Sequence, residues 1–119
     1  MKWMDLIEPL KLQQLINNYR EQEPLKGTRG ERDFAPVIKL FVPWGAGTWL
    51  ITECDPSGIA FGLCDLGMGM PEMGSVDLSE LAAIRGPAGL RIEQDLYFNT
   101  DKPLSQWAYE TAEAGSIRA

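Results

Sequence analysis

Apolar residues in the middle of the chain fall into short runs rather than at helical spacing. The runs Val37–Val42, Thr48–Cys54 and Ile59–Leu66 are separated by turns that contain proline and glycine, and a fourth short run ends at Val76. Short runs rich in β-branched and aromatic residues between turn signals are typical of strands, and hairpin-length links pair such strands antiparallel. The segment 37–76 is therefore predicted to be a β-meander.

Turn length sets how the predicted strands pair. A four-residue turn at Asp55–Gly58 places Thr52 opposite Phe61 on one face of the meander and Glu53 opposite Ala60 on the other. Both faces are then largely apolar, whereas a sheet with one solvated face alternates more regularly. Helices or loops are therefore expected over both faces. The other predicted pairs are Trp49 with Cys64, Leu50 with Leu63, Ile51 with Gly62, Cys54 with Ile59, Leu40 with Ile51 and Phe41 with Leu50.

Three segments outside the meander have helical signals. Residues 9–21 begin with a proline in the first turn and carry apolar residues at helical spacing. Asp77 and Glu80 have the spacing of a capping box, which predicts a short helix over 78–85. The spacing of apolar residues over 103–114 predicts a last helix, which is expected to cover the second face of the sheet.

Two further segments complete the predicted fold. The apolar residues near 96–98 indicate a short strand that returns to the sheet. Residues 23–36 contain proline, glycine and many charges, which is typical of a mobile surface loop. The chain 1–119 is thus predicted to be a single α+β domain, with a central antiparallel sheet of three to five strands and flanking helices.

Charge is distributed unevenly along the chain. The net charge is −6; residues 1–36 hold six basic and six acidic residues, and residues 37–119 hold five basic and eleven acidic residues. This excess of acids disfavours a phosphate-binding surface in the second part and favours contact with a basic partner. The alternative is that the charge serves solubility alone. The basic cluster of the chain, Lys26, Arg29 and Arg32, lies in the predicted loop.

Residue types that are rare or absent limit the chemistry. The chain has no histidine, which removes Ser-His and Cys-His nucleophile arrangements. Cys54 and Cys64 are predicted to lie too far apart along paired strands for a disulfide, so both are expected to be reduced and not bound to a metal ion. No cofactor is predicted. The N-terminal residues lack the apolar stretch of a signal peptide, and a cytoplasmic location is expected.

Candidate catalytic residues are few. Arg85, Glu93 and Asp95 form the best polar group, because Glu93 and Asp95 lie two apart and share a face of a strand. Paired carboxylates beside an arginine are suited to acid–base chemistry or to metal binding. The alternative is a surface salt bridge. Glu53 and Asp55, at the end of a predicted hairpin, form a second acidic pair open to the same two interpretations.

Candidate binding residues lie on turns and on the glycine-rich segment after the meander. Trp44 is expected at the tip of the turn between the first two strands, and Trp49 either lines a shallow groove or packs in the core. Methionine-rich surfaces adapt to partners, although such a loop also packs on its own core. The candidates in that segment are Met68, Met70, Glu72, Met73 and Asp77.

The run Ile59–Phe98 closely resembles the domain-of-unknown-function family 2958, and the resemblance extends to Val37–Phe41, Thr48–Glu53 and Lys102–Ser105. The resemblance implies a bacterial protein of plasmids, integrative elements or phages and implies no particular activity. One departure is Tyr97, at a position where members of the family often have a histidine. A catalytic histidine is therefore absent there, which weakens an enzymatic interpretation.

We carry three hypotheses for the function. The favoured one is a small acidic, non-enzymatic interaction protein of a mobile element. It would use its acidic surface to inhibit or modulate a host DNA-handling or defence enzyme that has a basic surface. The first alternative is a metal-dependent hydrolase that uses Glu93 and Asp95, and the absence of histidine counts against it. The second is a single-strand nucleic-acid-binding module that uses Trp44, Trp49 and the basic loop 26–32, and the net charge counts against it.

Overall fold

A five-stranded antiparallel sheet forms the centre of the computed structural model, which describes residues 2–119. The strands lie in the order β4-β3-β2-β1-β5, so β4 and β5 are the edges. The predicted α+β architecture is therefore confirmed. The strands are β1 Ile38–Phe41, β2 Thr48–Cys54, β3 Ile59–Asp65, β4 Glu72–Asp77 and β5 Glu93–Gln94.

Three α-helices flank the sheet, within two residues of their predicted bounds: α1 Pro9–Gln22, α2 Leu78–Ala83 and α3 Leu104–Ala114. The Glu8 side chain accepts hydrogen bonds from the first backbone N–H groups of α1, and Asp77 caps α2 in the same way. Helix α2 ends before 85 because Ile84 is already extended. Helix α3 ends at Gly115, whose φ of 81° is left-handed and favours glycine.

Helices pack on both faces of the sheet, as the apolar character of the meander predicts, although α3 covers its face only in part. On the α1 face, Leu15 of α1 and Leu78 and Leu81 of α2 pack with one set of strand residues. On the α3 face, Leu104 and Trp107 of α3 cover Leu50 and Leu63. The strand residues of the α1 face are Ile38, Leu40, Trp49, Ile51, Cys54 and Ala60.

The returning strand lies earlier than predicted. The chain pairs with β1 at Glu93–Gln94, not near 96–98, where Leu96 and Tyr97 form an exposed turn. The side chain of Asp95 accepts a hydrogen bond from Tyr97 N at 3.0 Å and closes this turn. The buried apolar residue of the segment is Ile92, so the apolar run after it misled the prediction.

The pairing of β1 with β2 is shifted by two residues from the predicted one. Leu40 faces Trp49 rather than Ile51, because the four-residue turn lies one residue earlier than predicted and closes between Val42 N and Gly47 O at 2.9 Å. A two-residue shift keeps every side chain on its face. The pairs Trp49–Cys64, Leu50–Leu63 and Ile51–Gly62 are confirmed, but the pairs beyond them are wrong, as described below.

The segment predicted to be a mobile loop begins with a 3₁₀ turn at Glu23–Leu25 and is anchored in its second half. The Gln22 side chain donates to Arg32 O at 2.7 Å and accepts from Arg32 N at 2.8 Å. Asp33 accepts hydrogen bonds from the backbone and hydroxyl of Ser105, at the start of α3. This segment therefore bridges the ends of α1 and α3.

No helix within residues 2–119 has the length and apolar character needed to cross a membrane.

Candidate functional site

A β-bulge in β2 determines where Glu53 points. The ladder between β2 and β3 is regular as far as Ile51 and Gly62 and resumes with Glu53 opposite Phe61, so that Thr52 is the extra residue. Strict alternation would turn the Glu53 side chain to the α1 face, as predicted. The extra residue turns it to the α3 face instead, and the predicted pairing of Thr52 with Phe61 is wrong.

Contacts around Thr52 and Gly62 hold the bulge in place. Thr52 donates its hydroxyl to Phe61 O at 3.2 Å, and its carbonyl accepts from Nδ2 of the buried Asn18 on α1 at 2.9 Å. The backbone of β2 approaches Gly62 so closely that a Cβ at position 62 would lie 1.9 Å from Leu50 O. Only glycine fits there, since any side chain would collide with the neighbouring strand.

The bulge opens onto a pocket of about 580 Å³ on the α3 face. Helix α3 covers this face only over Leu50 and Leu63, and the sheet beyond it is uncovered. The floor of the pocket consists of Phe61 and Ile59 on β3 and Met73 on β4. The walls come from the end of α1, the anchored segment 23–34 and the start of α3.

Four of the five carboxylates that line the pocket have partners within the protein. Glu53 is 5% exposed and makes no hydrogen bond or ion pair with any other part of residues 2–119. It is therefore a largely buried carboxylate without a hydrogen-bonding partner in residues 2–119, at the wall of a pocket, and the charge of Lys26 acts on it from beyond ion-pair distance. The other four contacts are Glu23 with Lys26 Nζ at 3.1 Å, Glu31 with Gly27 N at 3.3 Å, Asp33 with Ser105, and Asp55 with the N–H groups of Ser57 and Ile59 at 2.9 and 3.0 Å.

Burial raises the pKa of Glu53 above the ordinary value of 4.5, because loss of water disfavours the charged form. Lys26 opposes this rise, and the charges of Glu23 and Glu31 add to it. The pKa of Lys26 is raised in turn, chiefly by its hydrogen bond to Glu23. A cation placed beside Glu53 would stabilise the charged carboxylate.

The basic residues at the rim of the pocket are engaged by the protein. Arg32 forms an ion pair with Glu21 and lies 5.7 Å from the Phe34 ring. Lys26 pairs with Glu23 and lies 5.6 Å from the Tyr19 ring. These contacts neutralise two of the three cations in the predicted basic cluster.

The methionine segment, defined here as residues 66–73, consists of the connection from β3 to β4 and the first two residues of β4, and it is open to solvent. Met68, Met70 and Met73 are 72, 73 and 51% exposed. Glu72 is also exposed, whereas Asp77 is half-buried and serves as the cap of α2. Of the two behaviours considered for this segment, it does not fold back onto the core of its own domain.

The two candidate tryptophans lie away from the open surface. Trp49 is 4% exposed and packs in the core of the α1 face, so the groove considered for it is absent. Trp44 is half-buried rather than exposed at its turn, because its ring lies against Gly86; a Cβ there would come within 2.5 Å of the ring. Both residues therefore serve packing in this structure.

The candidate catalytic residues Arg85, Glu93 and Asp95 are held in separate surroundings. Arg85 donates to two carbonyl oxygens at the end of α2, at 2.8 and 3.1 Å. Asp95 lies 3.7 Å from Lys39 Nζ, and Glu93 is exposed on the edge strand β5. Arg85 and Asp95 thus have partners other than each other, and a catalytic role for the three stays a prediction.

Cysteine and acidic side chains do not assemble into a metal centre in the described part of the chain. Within residues 2–119, no three of the His, Cys, Asp and Glu side chains are grouped so as to hold a metal ion. Cys54 and Cys64 are free thiols, paired in the ladder with Ala60 and Trp49 respectively. Burial raises the pKa of Cys54 to about 12 and also raises that of Cys64.

The sequence singled out Glu53 as one of an acidic pair with Asp55. It placed the Glu53 side chain on the α1 face of the sheet, whereas the structure has it on the α3 face. It did not single out Phe61 or Ile59, which form the floor of the pocket. The signal that was missed is Gly62, since a glycine inside a strand often marks a bulge or a close approach of two backbones.

Residues 6–118 match the family model described as Protein of unknown function (DUF2958). Since the match spans nearly the whole chain, this protein belongs to that family. Searches of curated proteins and of solved structures give no significant match.

Proposed function

We propose that this member of the DUF2958 family is a non-enzymatic binding protein, which engages a protein partner with a basic surface through β4 and the methionine segment. The observation that carries the proposal is a row of exposed apolar side chains along one edge of the sheet. Such rows are typical of interaction surfaces, and methionine adapts its shape to a partner. The row consists of Ile59, Phe61, Leu66, Met68, Met70 and Met73.

The charge around this edge supports a basic partner. Between Leu40 and Ile84 the chain has six acidic residues and neither lysine nor arginine. Glu72 lies on β4 itself. Complementary charge accelerates association and selects the partner, while the apolar contacts supply most of the affinity.

The backbone of β4 offers a second means of attachment. As an edge strand it is hydrogen-bonded on one side only, and Glu72–Asp77 contains neither proline nor lysine, which commonly protect edges from pairing. A partner in extended conformation would add a strand to β4 through main-chain hydrogen bonds. Its apolar side chains would then lie beside Met73.

The proposal includes a setting. We place the protein in the cytoplasm, as a factor of a mobile element that covers the basic surface of a DNA-handling or defence enzyme. Support comes from the acidic central part of the chain and from the family resemblance, which implies plasmids, integrative elements and phages.

The test is affinity capture from a bacterial host lysate with the parent protein and matched variants. Glu72→Lys on β4 and the double change Met68→Ser/Met70→Ser are expected to lose the partner. Glu93→Lys, on the opposite edge strand, is the matched control for charge and is expected to retain it.

The affinity of the captured protein is then measured with purified components at increasing salt. We expect binding to weaken with ionic strength, because exposed charges are screened over about 8–10 Å at physiological salt. Equal binding by the parent, Glu72→Lys and Met68→Ser/Met70→Ser would show that this edge is not the interface. Retardation of single-stranded DNA by the parent at physiological salt would replace the proposal with a nucleic-acid-binding function.

A further inference from the structure

The Glu53 carboxylate is oriented by the bulge but has no hydrogen bond within residues 2–119 that compensates for its burial. It is 5% exposed and has no hydrogen-bonding partner in residues 2–119, yet a bulge in a central strand turns it toward the pocket. Buried carboxylates in folded proteins are normally paired, because an isolated buried charge is costly. A polar group held in this way is suited to a partner that comes from outside the chain.

We infer that the pocket around Glu53 binds a ligand that presents a primary ammonium or guanidinium group on a small apolar body. The cation would pair with the Glu53 carboxylate through charge-assisted hydrogen bonds. The apolar body would lie on Phe61, Ile59 and Met73 at the floor. The volume of about 580 Å³ is within the range of pockets that hold small ligands.

The charges around the pocket favour a cation over an anion. The rim cations Lys26 and Arg32 are already paired with Glu23 and Glu21. The other carboxylates that line the pocket are occupied by contacts within the protein. Glu53 is thus the lining carboxylate that remains to bind a ligand, and a metal ion would find no second and third carboxylate beside it in residues 2–119.

Phe61 gives the site a second recognition element. It is 36% exposed and faces Glu53 across the ladder, so one side chain presents a charge and the other an aromatic surface. Aromatic faces attract ammonium and guanidinium groups. This arrangement selects cations with an apolar body over small hydrated cations.

The inference goes beyond the proposed protein partner and is tested apart from it. The pocket and the docking edge share Ile59, Phe61 and Met73. The inference is tested at Glu53, whereas the docking edge is tested at Glu72, Met68 and Met70. The same ligand chemistry has two sources: a free small amine, or an arginine side chain. Two probes separate them, 2-phenylethylamine for the first and N-acetyl-arginine methylamide for the second.

The experiment is an NMR titration of the uniformly ¹⁵N-labelled protein with each probe, followed through the backbone amides. We expect saturable shifts at millimolar probe that centre on residues 52–55 and 61. The neutral analogue 2-phenylethanol is expected to bind about tenfold or more weakly, because it lacks the charge that pairs with Glu53. Tighter binding of one cationic probe than the other identifies the source of the ligand.

Glu53→Gln tests the carboxylate directly, since it keeps the shape of the side chain and removes the charge. We expect it to weaken binding of either cationic probe about 10- to 100-fold. Glu113→Gln, at an exposed position on α3, removes the same charge away from the pocket and is expected to bind like the parent.

Three results would overturn the inference. The first is equal affinity of the parent and Glu53→Gln for both probes. The second is a set of shifts that centre on another part of the protein, and the third is the absence of any saturable shift at millimolar probe. The amide spectrum of each free variant verifies its fold. None of these results tests Glu72, Met68 or Met70, at which the docking edge is tested separately.

Discussion

Gly62→Ala is expected to destabilise the protein strongly, because the bulge of β2 leaves no room for a side chain at position 62. The new Cβ would lie 1.9 Å from Leu50 O and 2.9 Å from Ile51 Cα, whereas ordinary contact begins at 3.4 Å. The central strands β2 and β3 would therefore have to separate by about 1.5 Å at this point.

The cost follows from two terms. Overpacking of a tight site costs about 1–3 kcal/mol, and the loss of one or two ladder hydrogen bonds adds about 1 kcal/mol each. A total of about 2–5 kcal/mol is a large part of the stability of a typical domain, and it would lower Tm by about 10 °C or more.

Urea denaturation followed by circular dichroism measures this loss as a shift in the midpoint. Gly74→Ala is the matched control, because Gly74 faces Gly62 in the β3–β4 ladder and a Cβ there meets nothing within 4 Å. We expect the control to leave stability unchanged or slightly raised. A free energy of unfolding for Gly62→Ala within about 0.5 kcal/mol of the parent would refute the close approach, and with it the described bulge.

Three further predictions concern buried groups. Glu53→Gln is expected to raise the free energy of unfolding by about 1 kcal/mol at neutral pH, since it removes an unpaired buried charge. Because the pKa of Glu53 is raised on folding, the parent is destabilised as pH rises through that pKa, and the stability gained from Glu53→Gln is expected to vanish below about pH 4.5. Urea denaturation of both proteins at several pH values measures this gain. A gain in stability that stays constant with pH would contradict the prediction. The pKa of Cys54 is raised to about 12, so this thiol is expected to react with a disulfide reagent at pH 8 only after unfolding, and more slowly than the half-buried Cys64. Peptide mass spectrometry detects the labelled residue. Rapid labelling of Cys54 in the native protein would contradict its burial. Trp44→Ala is expected to lower stability by about 2–4 kcal/mol, because the ring packs on Gly86 and the core, and a loss below about 1 kcal/mol in thermal unfolding would show that the ring is exposed.

The fold was predictable from the sequence because its signals are local. Alternation and turn residues gave the first three strands and their order, and Asp77 and Gly115 mark helix ends by capping chemistry. The β5 strand was misplaced, since a two-residue strand has no periodicity of its own and the buried Ile92 precedes it. Its position depends on pairing with β1, which lies far away in the chain.

The candidate site was less predictable, because it depends on one extra residue in a ladder. Alternation alone sends Glu53 to the α1 face, and only the close approach at Gly62 and the contacts of Thr52 reverse this. The exposure of the methionine segment was left open by the sequence, since the same composition serves packing or binding. Trp44 was predicted to be exposed because it lies in a glycine-flanked turn. Its ring is instead half-buried against Gly86, which is distant in the sequence.

The measurement that tests the central claim most directly is the pH titration of the Glu53 side-chain carboxyl by ¹³C NMR, with and without 2-phenylethylamine. In the free protein we predict an inflection above the ordinary value of 4.5, because burial disfavours the charged form. With the amine bound, the inflection is predicted to move down, since the cation stabilises the carboxylate. An inflection at or below the ordinary value in the free protein, unchanged by the amine, would contradict both the burial of an unpaired carboxylate and its proposed use.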